Sequence, residues 1–145
     1  MKNTKQVIVW RNDLKVRTGK KMAMAAHASM AFLTKDGEMK DEIFSMAFGD
    51  ERYQFFTNET LDMHRHYDEI KHWLENSFRK IVCYVNSEEE FDSIHQKALD
   101  NGLISHIVID NGATEFNGVL TKTCLAIGPH YDERFIGISD HLPLL

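Results

Sequence analysis

The sequence predicts an α/β domain built on a largely parallel or mixed sheet. Three observations predict it: four short runs rich in β-branched and aromatic residues, helix-forming segments between them, and a 13-residue step from the third run to the fourth that carries no helix. That step predicts an antiparallel pair or a crossover loop. The 145 residues read as one domain, 1–145, with 43% hydrophobic residues to fill a core. This composition excludes a disordered chain, a collagen-like repeat and a disulfide scaffold.

Residues 5–10 form the first strand, a short buried run of Val7, Ile8, Val9 and Trp10. A helix begins near Gly19 and runs to about Thr34, with Ala23, Ala26, Ala28, Met30, Ala31 and Leu33 as its small and apolar positions. That alanine-rich surface predicts close packing against the sheet. Residues 35–78 hold an apolar cluster at 43–48 and a helix over 60–78, with Leu61, Ile70, Trp73, Leu74 and Phe78 apolar. Residues 79–85 are the second strand. Ser87 and Glu90 then form a capping box, opening a helix with Phe91, Ile94, Ala98 and Leu99 on one face. Asn101 and Gly102 stop it. The third strand spans 106–109 and a polar loop 110–118. The fourth strand spans 123–127, closed by Gly128 and Pro129, and a last helical segment spans about 131–139.

Charge is unevenly spread. Residues 1–21 carry seven Lys and Arg against Asp13, a net +6, so the rest of a chain of net −5 carries −11. Such a chain would not coat nucleic acid, but a basic corner docks a phosphate backbone locally. No stretch is long and apolar enough to predict a membrane span. Cys83 and Cys124 sit in apolar runs and read as buried free thiols in a reducing cytoplasm.

In open α/β sheets, sites gather at the carboxyl ends of strands. Two such ends stand out. After the first strand, Lys15, Arg17, Gly19, Lys20 and Lys21 precede a helix start, where unpaired amides and a partial positive charge favour an anion. Leu14 and Lys21 occupy places that a nucleotide-binding P-loop would give to Gly and to Ser or Thr, so that motif is rejected. His27, among alanines, reads either as a general base or as a hydrogen-bonded core residue. After the third strand, Asp110, Asn111, Gly112, Ala113 and Thr114 present a carboxylate and a hydroxyl, or make an ordinary Asx-turn. Thr121 and Thr123 face the same cleft or fill alternate strand positions. His64, His66 and His72 are spaced by two and six, which puts no pair on one helix face, so no metal is assigned.

Taken in order, these segments resemble the type II peptidyl-tRNA hydrolases. The resemblance rests on residues 5–9, Asp13 to Lys15, Gly19 and Lys20, Ala25 to Ala28, 80–82, 87–90, Asp110 to Thr114, 125–129 and 141–145. It covers about residues 5–34 and 79–145, and leaves 35–78 as a helical insertion. It implies a four-stranded mixed sheet flanked by helices, a homodimer, and hydrolysis of the ester between a peptide and tRNA without a metal or organic cofactor. Lys20, His27, Asp110 and Thr114 match the family's active-site positions, and Thr123 and Thr121 match the hydroxyl pair before its last strand, with Thr123 taken as a further catalytic group. With Lys20 on the developing charge and Asp110 on water, Lys15, Arg17, Gly19, Lys21 and Thr121 are expected to bind substrate. Met24 and Glu115, where the family commonly has glutamine, favour one alternative, a non-catalytic module that binds RNA or protein.

Overall fold

The computed structural model describes residues 2–34, 65–113 and 115–145. Its four strands are β1 (Thr4–Arg11), β2 (Lys80–Val85), β3 (Ser105–Asp110) and β4 (Thr121–Tyr131), in the order β2-β1-β4-β3. β2 runs parallel to β1, while β4 is antiparallel to both β1 and β3. The sheet is therefore mixed, with the helix-free third connection antiparallel as expected.

Helix α1 (Thr18–Thr34) covers one face. It buries Met24 and Ala28 against Ile8, Trp10, Cys124 and Ala126. The expected alanine face is narrower than its composition promised, since Ala23, Ala26 and Met30 point to solvent. Helix α3 (Glu88–Asp100) covers the other face with Phe91, Ile94 and Ala98 against Val7, Val9, Leu125 and Ile127. Leu99 falls off that stripe and is exposed. Ser87 caps α3, its Oγ accepting from the Glu90 amide at 3.1 Å. The alternation of β1 fixes both layers, because Val7 and Val9 point one way and Ile8 and Trp10 the other.

A buried amide locks α1 to the central strand. Gln6 Nε2 donates to the Ser29 carbonyl at 2.9 Å, and Ser29 Oγ donates to Gln6 Oε1 at 2.6 Å. Within the expected helix 60–78, residues 60–64 lie outside the described residues. The rest is helix α2 (Tyr67–His72) followed by a π-helical turn, Trp73–Ser77. Ile70 and Trp73 pack with Phe32 and Ile104, whereas Leu74 and Phe78 are exposed. The apolar cluster at 43–48 also lies outside the described residues.

Two expected boundaries are corrected. Gly128 and Pro129 do not close β4, which continues to Tyr131. Pairing steps from Lys5 with His130 to Val7 with Ile127, so Gly128 and Pro129 together face Gln6 in a bulge. A proline, which has no N–H to donate, is tolerated there. The expected helix at 131–139 is a 3₁₀ turn, Asp132–Phe135, followed by further turns. The C-terminal tail then lies along β2, where Tyr84 N–H donates to the Pro143 carbonyl and Leu145 N–H to the Val82 carbonyl.

Candidate active site

Lys20 stands in the first turn of α1 and Asp110 ends β3. Both elements arrive at the same corner of the sheet, and Lys20 Nζ donates to Asp110 Oδ1 at 2.8 Å. The Asp110 side chain is 9% exposed and that of Lys20 16%, so the ion pair is largely shielded from water. Asp110 Oδ2 accepts from the Gly112 amide at 2.9 Å, completing an Asx-turn. Gly112 is required at this point. Its φ is +77°, and a Cβ would meet the Val119 carbonyl oxygen at 2.5 Å. The Lys20 hydrogen bond, reinforced by the Gly112 amide and the charges of Lys20 and His27, holds the Asp110 carboxyl below its ordinary value despite partial burial.

His27 lies seven residues after Lys20, about two turns on and on the same side of the helix. It is exposed, so the core reading of this histidine does not hold. Thr114 lies outside the described residues. Thr123 is buried completely, and its hydroxyl donates to the Val108 carbonyl at 3.2 Å instead of facing a cleft. A bulge explains this. Val108 pairs with Cys124 and Ile109 with Lys122, which leaves Thr123 as the extra residue of β4. Lys122 and Cys124 thereby face opposite ways although two residues apart. Lys122 Nζ reaches Asp92 of α3, while Cys124 Sγ donates to the Met24 carbonyl of α1. Thr121 pairs with Asp110 across the ladder, and its hydroxyl donates to the Val119 carbonyl at 2.9 Å.

A hollow of about 630 Å³ opens beside the ion pair, lined by Asn12, Leu14, Lys15, Val16, Arg17, Lys21 and Glu115. Lys20 and Asp110 are not among the residues that line it. Consecutive helical residues point about 100° apart. Lys20 and Lys21 accordingly serve neighbouring places, the ion pair and the hollow. Gly19, at the same turn, is exposed with open space around it.

A family model described as peptidyl-tRNA hydrolase PTH2 matches residues 4–145. The chain belongs to that peptidyl-tRNA hydrolase family. The peptidyl-tRNA hydrolase of Methanocaldococcus jannaschii is 36% identical over 142 residues, covering 97% of this chain and 99% of the relative. That of Methanopyrus kandleri is 32% identical over 141 residues, covering 97% of each chain.

Two further side chains help to shape the site, Arg11, which sequence reasoning did not single out, and Glu115, which it noted only as a departure from the family's glutamine. Arg11, at the end of β1, grips Asp13 through both oxygens, at 3.2 and 2.6 Å, and donates to the Lys122 carbonyl at 3.1 Å. It ties the loop that bears Lys15 and Arg17 to β4. The close Arg11–Asp13 spacing was the available signal. Glu115 reaches back from the loop after β3, its Oε2 accepting from the Arg17 amide at 3.2 Å.

His66, Glu69 and His130 bring one ligand atom each within 4.8 Å of one another. Helix spacing gave no sign of this, because His130 comes from β4. The hydrogen bonds disfavour a metal. His130 Nε2 accepts from the Ile104 amide at 2.8 Å, so the ring proton sits on Nδ1 and is donated to Glu69. A neutral imidazole that ligates through one nitrogen must carry its proton on the other, and here the Ile104 amide points at that other nitrogen. Arg134 completes the group, donating to Glu69 Oε1 at 3.1 Å. The arrangement is a buried latch fastening α2 to β4.

Proposed function

We propose that this chain hydrolyses the ester joining a peptide to the ribose of tRNA, with the Lys20–Asp110 pair as its reacting centre. Family membership supports the reaction, and the 2.8 Å contact between a helix-start ammonium and a strand-end carboxylate carries the placement. Asp110, with its depressed pKa, is a weak proton acceptor. It therefore serves as a fixed anion that aims the Lys20 ammonium and orients water. Lys20, at the positive end of α1, stabilises the oxyanion that forms when water attacks the ester carbonyl carbon. His27, exposed on the same side, accepts the proton from the attacking water. It returns that proton to the ribose oxygen as the carbon–oxygen bond breaks, leaving free tRNA and a peptide carboxylic acid that loses its proton to water. Thr114 is assigned to holding the ester. Thr123, buried in the bulge, is a positioning residue, and Thr121 fastens the end of the loop.

Lys15, Arg17 and Lys21 form the basic wall that takes the phosphate backbone beside the ester, with Gly19 leaving room for close approach. We further read the chain as a single domain acting as a homodimer in the cytoplasm. Exposed Ile109, Val119 and Leu120 near β3 and the two buried free thiols support that reading. Among the described residues, no helix is long and apolar enough to cross a membrane.

The test is a peptide-release assay on peptidyl-tRNA across a salt series. Release that weakens steeply as salt rises is the expected result. Salt-dependent binding without release would instead select the non-catalytic module, and neither would remove tRNA from the reading.

A further inference from the structure

We infer that Glu115 is a specificity-determining residue, a resident counter-ion of the basic hollow that an incoming phosphate backbone must displace from Arg17. The inference rests on the tRNA-ester reading of the site and deepens it. Glu115 is the one acid among the described residues lining the hollow, set against Lys15, Arg17 and Lys21. It is not a helix neighbour caught by chance. It comes from a loop 98 residues further along the chain, and its Oε2 accepts from the main-chain amide of Arg17 at 3.2 Å. That amide is a donor of the kind that phosphate oxygens take.

The charge arithmetic gives this contact its consequence. Three cations lining one hollow would hold any nucleic-acid backbone through counterion release. One carboxylate among them cuts the net charge of the lining from +3 to +2. The hydrogen bond is exposed, so water and a competing anion exchange with it easily. Weak backbone binding suits a hydrolase whose product is still a full-length polyanion. The ester and its peptide then supply the additional contacts that retain substrate, while spent tRNA departs.

The experiment compares wild type, Glu115→Gln and Glu115→Ala. Glutamine keeps an oxygen for the Arg17 amide and removes only the charge. Deacylated tRNA binding and peptidyl-tRNA turnover are both measured against salt. For both variants we expect a several-fold lower Kd and KM, no gain in kcat, and a log K against log salt slope steeper by about 0.7–0.9, the value of one released counterion. Glu89→Gln, which removes an equal charge from the exposed first turn of α3, should behave as wild type. Unchanged or weaker binding by Glu115→Gln overturns the inference, as does an equal gain from Glu89→Gln. If wild type releases peptide while Glu115→Gln matches it at every salt concentration, only the role of Glu115 falls. If wild type neither binds tRNA nor releases peptide, the reading of the site falls with it.

Discussion

Asp110 and Lys20 define each other's chemistry, and substitutions should expose that dependence. Lys20→Met removes the main cause of the depressed Asp110 pKa, so the carboxyl should titrate at higher pH in an NMR titration. The sign follows from linkage. The charge-dependent contribution of Asp110 is present above its unfolded pKa and is lost as pH falls through the lower folded value. Wild type should keep it down to acid below about pH 4, the ordinary aspartate range. The variant should lose it sooner, and an unmoved titration would dissolve the pair. Lys20→Met and Asp110→Asn should each lower kcat by about a hundredfold or more while far-UV circular dichroism stays unchanged. Near-normal turnover in both would remove their roles. These two residues were legible because a lysine at a helix start and an aspartate at a strand end follow from local sequence. The burial of Thr123 was not. It depends on a bulge whose partner strand alone reveals the extra residue.

At the scale of elements, strands and helices followed from β-branched runs and capping residues, and their ends did not. β4 passes through Gly128 and Pro129 because Gln6 opposite tolerates the bulge, a fact of pairing. The contact between α2 and β4 was equally hidden, since it joins Glu69 to His130 across 61 positions. Burial pushes the Glu69 carboxyl up, but the His130 hydrogen bond and the Arg134 charge outweigh it, leaving the pKa lowered. The latch therefore contributes above the unfolded carboxylate pKa and fails as acid reaches the lower folded value. His130→Ala should lower stability by about 2–4 kcal/mol in urea unfolding, because Glu69 stays buried without its donor. A loss under about 0.5 kcal/mol, within the usual range for surface changes, would make the latch incidental. Saturating Zn²⁺ should leave the melting temperature of wild type unchanged, and a rise of several degrees would return His66, Glu69 and His130 to the metal reading.

For the whole molecule, the order of segments carried the family reading, and the match over residues 4–145 agrees with it. What order could not give was depth. Residues in one hydrophobic run ended on different faces, with Val7 and Val9 under one helix and Ile8 and Trp10 under the other. The two thiols report on global integrity. Burial pushes Cys83 up to about 11 and Cys124 up to about 12. Alkylation at pH 8 should therefore be negligible in the native protein and track its unfolding, whereas rapid labelling would mean that the core opens locally. The tail along β2 has a consequence for assembly. With Pro143 and Leu145 bonded to that margin, β3 is the sheet's one remaining lateral strand among the described residues. Edge-to-edge joining of two copies through the described strands then uses β3 of both, and it terminates at a pair, because the described residues of neither copy offer a second margin from which a ribbon could grow.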